Sequence, residues 1–212
     1  MRTALIAGST GLIGKQLLQL LLESEEYKKV IALTRQDLPS HPKLTQLKIE
    51  LGTVSEKGDL LKADDVFCCL GTTMAKAGSK EKFRQVDFYY PLLLAKTAKG
   101  TGAKKYLLVS ALGADKNSRI FYNEVKGELE EAVSTAGFDA VHIFRPSLLL
   151  GPREEKRSGE DAAKIFYKIF GFLIPAKYQA IESIKVARAM LHFASQDKRG
   201  NFIHDSRELQ QF

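Results

Sequence analysis

Ala4-Leu5-Ile6-Ala7-Gly8-Ser9-Thr10-Gly11-Leu12-Ile13-Gly14-Lys15 opens the chain with an apolar run that passes through three glycines into a helical pattern. Each glycine has a physical use at that junction. Gly8 permits a tight turn at the end of a strand, Gly11 lets a diphosphate approach backbone that a Cβ would fend off, and Gly14 lets a helix lie close to the strand. Free N–H groups and the helix dipole then meet the negative charge. The spacing is G-x-x-G-x-x-G rather than the stricter G-x-G-x-x-G, so its weight comes from its setting, a strand before and a helix after at the start of a series. The stretch points to dinucleotide binding, with a merely structural glycine turn as the alternative.

Outward from that turn, short β-branched runs alternate with longer helical patterns. Strands are expected near residues 3–7, 29–34, 46–50, 65–70, 105–110 and 140–144, with a late one at 201–204. Helices are expected near 15–22, 83–99 and 123–135, where apolar residues recur at three- and four-residue spacing. This alternation predicts an α/β fold, a doubly wound parallel sheet of six strands with helices on both faces. After Arg145-Pro146 the rhythm changes to helical stretches around 161–172 and 181–194, separated by Pro175. The whole chain, 1–212, is expected to form one domain, with 151–200 as a short C-terminal segment that acts as a lid and selects the substrate.

A hydrophobic fraction of 44% and a charged fraction of 27% suit a folded globule and exclude disorder, collagen-like repeats and a disulfide-stapled miniature. No apolar run approaches the ~18 residues of a membrane helix, so no membrane association is expected. Met1-Arg2-Thr3 leads straight into the first strand without a charged-then-apolar leader, and a cytoplasmic protein is expected. Cys68 and Cys69 are adjacent in an apolar run, which fits small core residues in a reducing compartment. The net charge of +7 would suit nucleic acid or a phosphorylated small molecule. Its basic residues are interleaved with acids, as in Arg153-Glu154-Glu155-Lys156-Arg157, and no zinc-finger spacing or RNA-recognition signature accompanies them. Nucleic acid is therefore not an expected partner, and no metal is expected.

The second strand ends at Leu33-Thr34-Arg35, where a dinucleotide fold reads the adenosine ribose. An acid there would repel a 2′-phosphate and an arginine would welcome it, so Arg35 favours NADPH over NADH. Asp37, two residues on, is the rival ribose ligand, and an exposed loop residue is the plain reading of Arg35. Candidate chemistry follows the fifth strand. Ser110 closes that strand, and Tyr122 and Lys126 share one face of the next helix at i and i+4. A nearby ammonium favours the phenolate, bringing a tyrosine towards acid–base use, and a serine hydroxyl can hold a substrate oxygen. Among seven tyrosines only Tyr122 has a lysine four residues on, and it follows the strand-ending serine by twelve residues. The alternative is an ordinary surface Tyr–Lys pair.

At this point the chain resembles the short-chain dehydrogenase/reductase superfamily, whose Ser, Tyr and Lys would fall on Ser110, Tyr122 and Lys126. Phe67-Cys68-Cys69-Leu70-Gly71-Thr72-Thr73, Ala77-Gly78-Ser79, Val86-Asp87, Tyr122-x-x-Val125-Lys126-Gly127-Glu128 and Phe144-Arg145-Pro146 look like its atypical branch, typified by Tat-interacting-protein-like oxidoreductases. The resemblance implies a Rossmann fold that binds NADPH and transfers a hydride to a small carbonyl substrate. It also implies that Thr10, Leu12 and Ile13 offer backbone to the phosphates beside Gly8, Gly11 and Gly14. Glu50 and Leu51 would border the adenine, Leu70, Gly71 and Thr72 would pass along the ribose and nicotinamide, and Pro146 would shape the nicotinamide pocket, with Lys126 also on the ribose. Two residues depart from the pattern: Asp87 stands where many relatives carry an asparagine that relays protons, and Ser147 replaces a glycine common after Arg-Pro. Because animal members of the branch are discussed as regulators, the resemblance also keeps open a protein partner and a coenzyme-sensing role with little turnover. A nucleotide-sugar epimerase is a further alternative, for which the region after Arg145 is short.

Overall fold

The computed structural model describes residues 1–151 and 178–212. The expected helix around 161–172, the break at Pro175 and much of the expected lid segment lie outside the described residues.

β1 (Arg2–Ala7) is an interior strand of the sheet, and its apolar run explains why: Ala4, Leu5, Ile6 and Ala7 are all buried, as a strand covered on both faces requires. The chain continues through α1 (Leu12–Glu23), β2 (Tyr27–Thr34) and β3 (Leu44–Lys48), then crosses back to β4 (Asp65–Cys68) on the other side of β1. From there it moves outward through β5 (Lys105–Val109) and β6 (Ala140–Arg145) to β9 (Gly200–Asp205). The sheet order is β3-β2-β1-β4-β5-β6-β9 and every pairing is parallel. The expected late strand thus joins the sheet as its seventh member. Reversal of strand order between β1 and β4 opens a crevice at their carboxyl ends, the place where such sheets bind ligands.

Alternation along β1 divides the core. Ala4 and Ile6 face α1 and α6 (Ser183–Ser195), where Ile13, Leu17, Leu21, Val186, Met190 and Phe193 pack. Leu5 and Ala7 face α4 (Tyr90–Gly100) and α5 (Phe121–Ser134), with Leu94, Ala98, Leu129 and Val133. Helices therefore cover both faces, and α6, inside the 151–200 range, is a buried helix against α1.

Several bounds differ from expectation for identifiable reasons. The third strand runs Leu44–Lys48 rather than 46–50, because its ladder with β2 begins at Val30↔Leu44 and ends at Thr34↔Lys48. Gln46 also spends its side-chain amide on Leu38, donating to its C=O and accepting from its N–H, both at 2.8 Å. The chain then enters a 3₁₀ segment, Leu51–Leu61. The long helix expected over 83–99 is α3 (Lys80–Arg84), one π-helical turn (Gln85–Tyr89) and α4; before it lies the short α2 (Met74–Ala77). Such wide turns re-aim single side chains, and here the turn directs Asp87 into the protein, where it is buried.

Near the far edge, His142 on β6 and His204 on β9 stack beside Phe144, Phe193 and Phe202, with the His204 and Phe193 ring centroids 3.8 Å apart. His142 Nδ1 lies 3.0 Å from His204 Nε2, and His204 Nδ1 lies 2.9 Å from Glu208 of α7 (Ser206–Leu209). A separate two-residue parallel ladder joins β7 (Leu149–Leu150) to β8 (Ile181–Glu182). Cys68 and Cys69 carry free thiols, and burial raises the pKa of both, which keeps them in the thiol form. Among the described residues no helix is long and apolar enough to cross a membrane.

Candidate functional site

Backbone geometry at the glycine turn accounts for each glycine. Gly8 sits at φ +83°, a left-handed conformation, and a Cβ there would stand 2.5 Å from the Cys69 carbonyl oxygen. A Cβ on Gly14 would lie 2.0 Å from the Gly8 carbonyl oxygen, so α1 can reach the strand only because that position has none. The Gly11 N–H donates to the Gly8 carbonyl at 3.0 Å, closing the turn. Gly11 is also the N-cap of α1 and supplies no capping side chain, which leaves first-turn N–H groups available. Thr10 and Gly11 are exposed and Leu12 half-buried, while the Ser9 hydroxyl is buried without a partner among the described residues. An exposed, side-chain-free helix start with spare donors fits the diphosphate of a dinucleotide.

The other expected coenzyme residues lie along the same carboxyl edge. Arg35 follows β2, and Glu50 and Leu51 follow β3. Leu70, Gly71 and Thr72 follow β4, and Pro146 follows β6. Arg35 is exposed and makes no ion pair among the described residues, whereas its rival Asp37 is held by Lys48 at 2.6 Å. Thr72 and Gly71 come closest to the catalytic candidates. The Thr72 N–H donates to Asp87 Oδ2 at 2.8 Å, and a Cβ on Gly71 would lie 3.4 Å from Asp87 Oδ1 and 3.7 Å from Lys126 Nζ.

Lys126 and Asp87 form a buried ion pair, with Nζ and Oδ1 2.7 Å apart. Burial works against the lysine's charge, but Asp87 first and Tyr122 next outweigh it, so the pKa of Lys126 is raised above the ordinary lysine value. Tyr122, one turn earlier on α5 and half-buried, packs its ring 5.4 Å from that of Phe83, which also contacts Phe121. Gly127 lets the preceding loop lie on this helix: a Cβ there would be 2.1 Å from the Lys116 backbone nitrogen. Tyr122, Lys126, Asp87 and the β4 exit are thus gathered in one place.

Among the described residues Ser110 makes no hydrogen bond to any of them. Its hydroxyl donates to Glu130, two helical turns beyond Tyr122, about 12 Å along the axis. Glu130 in turn accepts from Arg145, whose Nε lies 3.0 Å and 3.2 Å from the two carboxylate oxygens and whose Nη2 also bonds Oε2. With its proton on Glu130, Ser110 can accept but not donate a hydrogen bond, so holding a carbonyl oxygen would require the hydroxyl to rotate away. Sequence reading missed this anchor, although its signal was present: Glu130 extends the Tyr122–Lys126 stripe by another four residues. No group of three or more metal-ligating side chains occurs among the described residues.

Comparison with known proteins places this geometry in a family. A family model described as NAD(P)H-binding matches residues 8–196. Protein HTATIP2 of Rattus norvegicus is 37% identical over 198 residues, covering 90% of this chain and 80% of its own. The mitochondrial protein FMP52 of Debaryomyces hansenii is 34% identical over 204 residues, covering 92% and 88%. Among solved structures, MoeE5 in complex with UDP-glucuronic acid and NAD superposes with a TM-score of 0.74 at 17% identity, covering 95% of this chain and 75% of that one. The oxidoreductase ylbE from Lactococcus lactis gives 0.68 at 19% identity, covering 99% and 95%. These two share the fold. From the glycine turn, the strand order and these sequence relatives together, the chain belongs to the NAD(P)H-binding, atypical short-chain dehydrogenase/reductase family.

Proposed function

We propose that this chain is an NADPH-dependent reductase of small carbonyl compounds. The observation that carries the reading is the convergence of Tyr122 and Lys126, on one face of α5, with the Leu70-Gly71-Thr72 exit of β4. Bound at the glycine turn, reduced dinucleotide would supply a hydride. Tyr122 would give its proton to the substrate oxygen as the carbonyl carbon is reduced, then recover one from water. Lys126, kept charged by Asp87, would hold the nicotinamide ribose and stabilise the phenolate left behind. Gly8, Gly11 and Gly14, with backbone of Thr10, Leu12 and Ile13, would receive the diphosphate. Glu50 and Leu51 would flank the adenine, and Pro146 would close the nicotinamide side. Exposed Arg35, with Asp37 occupied by Lys48, favours the 2′-phosphate of NADPH over NADH. Ser110 we assign to anchoring α5 through Glu130 in place of the expected substrate contact.

Tyr122→Phe tests the reading: turnover with NADPH and an accepted aldehyde, ketone or quinone should fall at least about a hundredfold. NADPH affinity should stay within about twofold, because the ring remains. Undiminished turnover with coenzyme bound would refute the role. Commitment of Ser110 to Glu130 is the one observation that favours a coenzyme-sensing protein with a protein partner instead, and NADPH binding without consumption across such a panel would decide for it. The free thiols of Cys68 and Cys69 support a reducing compartment; the fungal relatives named mitochondrial set the mitochondrion beside the cytoplasm as the alternatives that cell fractionation separates.

A further inference from the structure

A buried ammonium beside a coenzyme carries a consequence that depends on its counter-charge. The oxidised nicotinamide ring bears a positive charge and the reduced ring none. A site holding an uncompensated lysine therefore disfavours the oxidised coenzyme electrostatically, and one in which that lysine is neutralised does so far less. Among the described residues the carboxylate paired with Lys126 is that of Asp87, with both groups essentially removed from solvent. The other titratable groups acting on the ammonium are Tyr122 on α5 and Cys68 on β4, whose raised pKa keeps it neutral. Both carboxylate oxygens of Asp87 are engaged. The π-helical turn carries it inward, and its second oxygen is tied to the Thr72 amide at 2.8 Å.

Resting on the reductase reading, which puts Lys126 and the Gly71-Thr72 backbone at the nicotinamide end, we propose that Asp87 is a specificity-determining residue for the redox state of the bound dinucleotide. Its carboxylate balances Lys126, so the site holds oxidised and reduced coenzyme with more nearly equal affinity than the lysine alone would allow. Asparagine at this position would leave the pocket one unit more positive and favour the reduced form. By linkage, the same residue sets the midpoint potential of the bound coenzyme relative to the free one.

The test is a binding measurement that needs no substrate. Dissociation constants of NADP⁺ and NADPH are determined by calorimetry for the wild type, Asp87→Asn and Lys126→Gln, and the ratio of oxidised to reduced constants is compared. That ratio should rise roughly tenfold in Asp87→Asn and fall roughly tenfold in Lys126→Gln, as expected for a unit charge several ångströms from the ring in a partly screened site. A structural defect would weaken both forms together and leave the ratio unchanged. Should Asp87→Asn fail to fold, Asp87→Ser, which also removes the carboxylate, carries the test with the same rise in the ratio. A wild type that binds both forms, with a ratio unmoved in the folded variants, overturns the proposal; a wild type that binds neither overturns the reductase reading from which it starts.

Discussion

Acidification should unlatch the edge of the sheet through the His142–His204 pair. Glu208 can only accept at His204 Nδ1, so that nitrogen carries the proton and His204 Nε2 must accept from His142 Nδ1–H. The bare His142 Nε2 is buried with no partner among the described residues. Adding a proton there would create an imidazolium stacked on Phe202 and Phe193, with Lys105 and Lys198 contributing like charge. Burial first, then His204 and those lysines, lower the His142 pKa from 6.5 to about 4. Because the unfolded chain binds this proton at higher pH than the folded one, stability is complete above about pH 6.5 and falls as the pH drops towards 4. At 1.36 kcal/mol per unit, about 2 kcal/mol should be gone by pH 5 and about 3 kcal/mol by pH 4. Urea unfolding of the wild type and of His142→Phe at pH 7 and pH 5 reads that share together with the linked titration of His204, while carboxylates titrate in both proteins. The stability difference between them should move by about 2 kcal/mol in favour of the variant at the lower pH. A difference that is the same at both pH values would refute the assignment of neutral, directionally protonated rings.

Two further outcomes follow from the site. Glu130→Gln leaves the Arg145 guanidinium without its carboxylate and should cost about 3 kcal/mol, a fall of roughly 6–12 °C in Tm. The Glu130→Leu/Arg145→Met double variant should recover at least half of that, and a calorimetric Tm within about 2 °C of wild type for Glu130→Gln would count against the anchor. Arg35→Ala should weaken NADPH binding roughly tenfold and NADH binding by less than about twofold; equal losses in a calorimetric titration would undo the argument for the phosphorylated coenzyme.

Much of this architecture could be read from the residues because local signals agreed with one another. Alternating apolar runs located the strands, and the steric demand at Gly8 and Gly14 has no cheap alternative, so the turn declared itself. What stayed hidden depends on tertiary partners. The π-helical turn has no periodicity signature, since one extra residue in a helix disturbs the apolar spacing only slightly, and Asp87 was tied to the Tyr122–Lys126 pair by the resemblance alone, without its ion pair. The bond from Ser110 to Glu130 was hidden because position after a strand says where a residue lies along the sheet, not towards which neighbour its hydroxyl turns. His142 and His204 are 62 positions apart, and only the pairing of β6 with β9 brings them together. The span 151–200 was read as one functional segment, yet its described helix α6 contributes Val186, Met190 and Phe193 to the main core.

The short ladder between β7 and β8 has an evolutionary corollary. Leu149 pairs with Ile181 and Leu150 with Glu182, so the chain leaves and re-enters at adjoining points held together by this ladder. Bringing two points of a chain together grows costlier only logarithmically, by about 0.6 kcal/mol for each doubling of the number of residues between them. Descendants of this gene are therefore free to lengthen, trim or reword the residues between those two strands while the seven-stranded chassis keeps the same form.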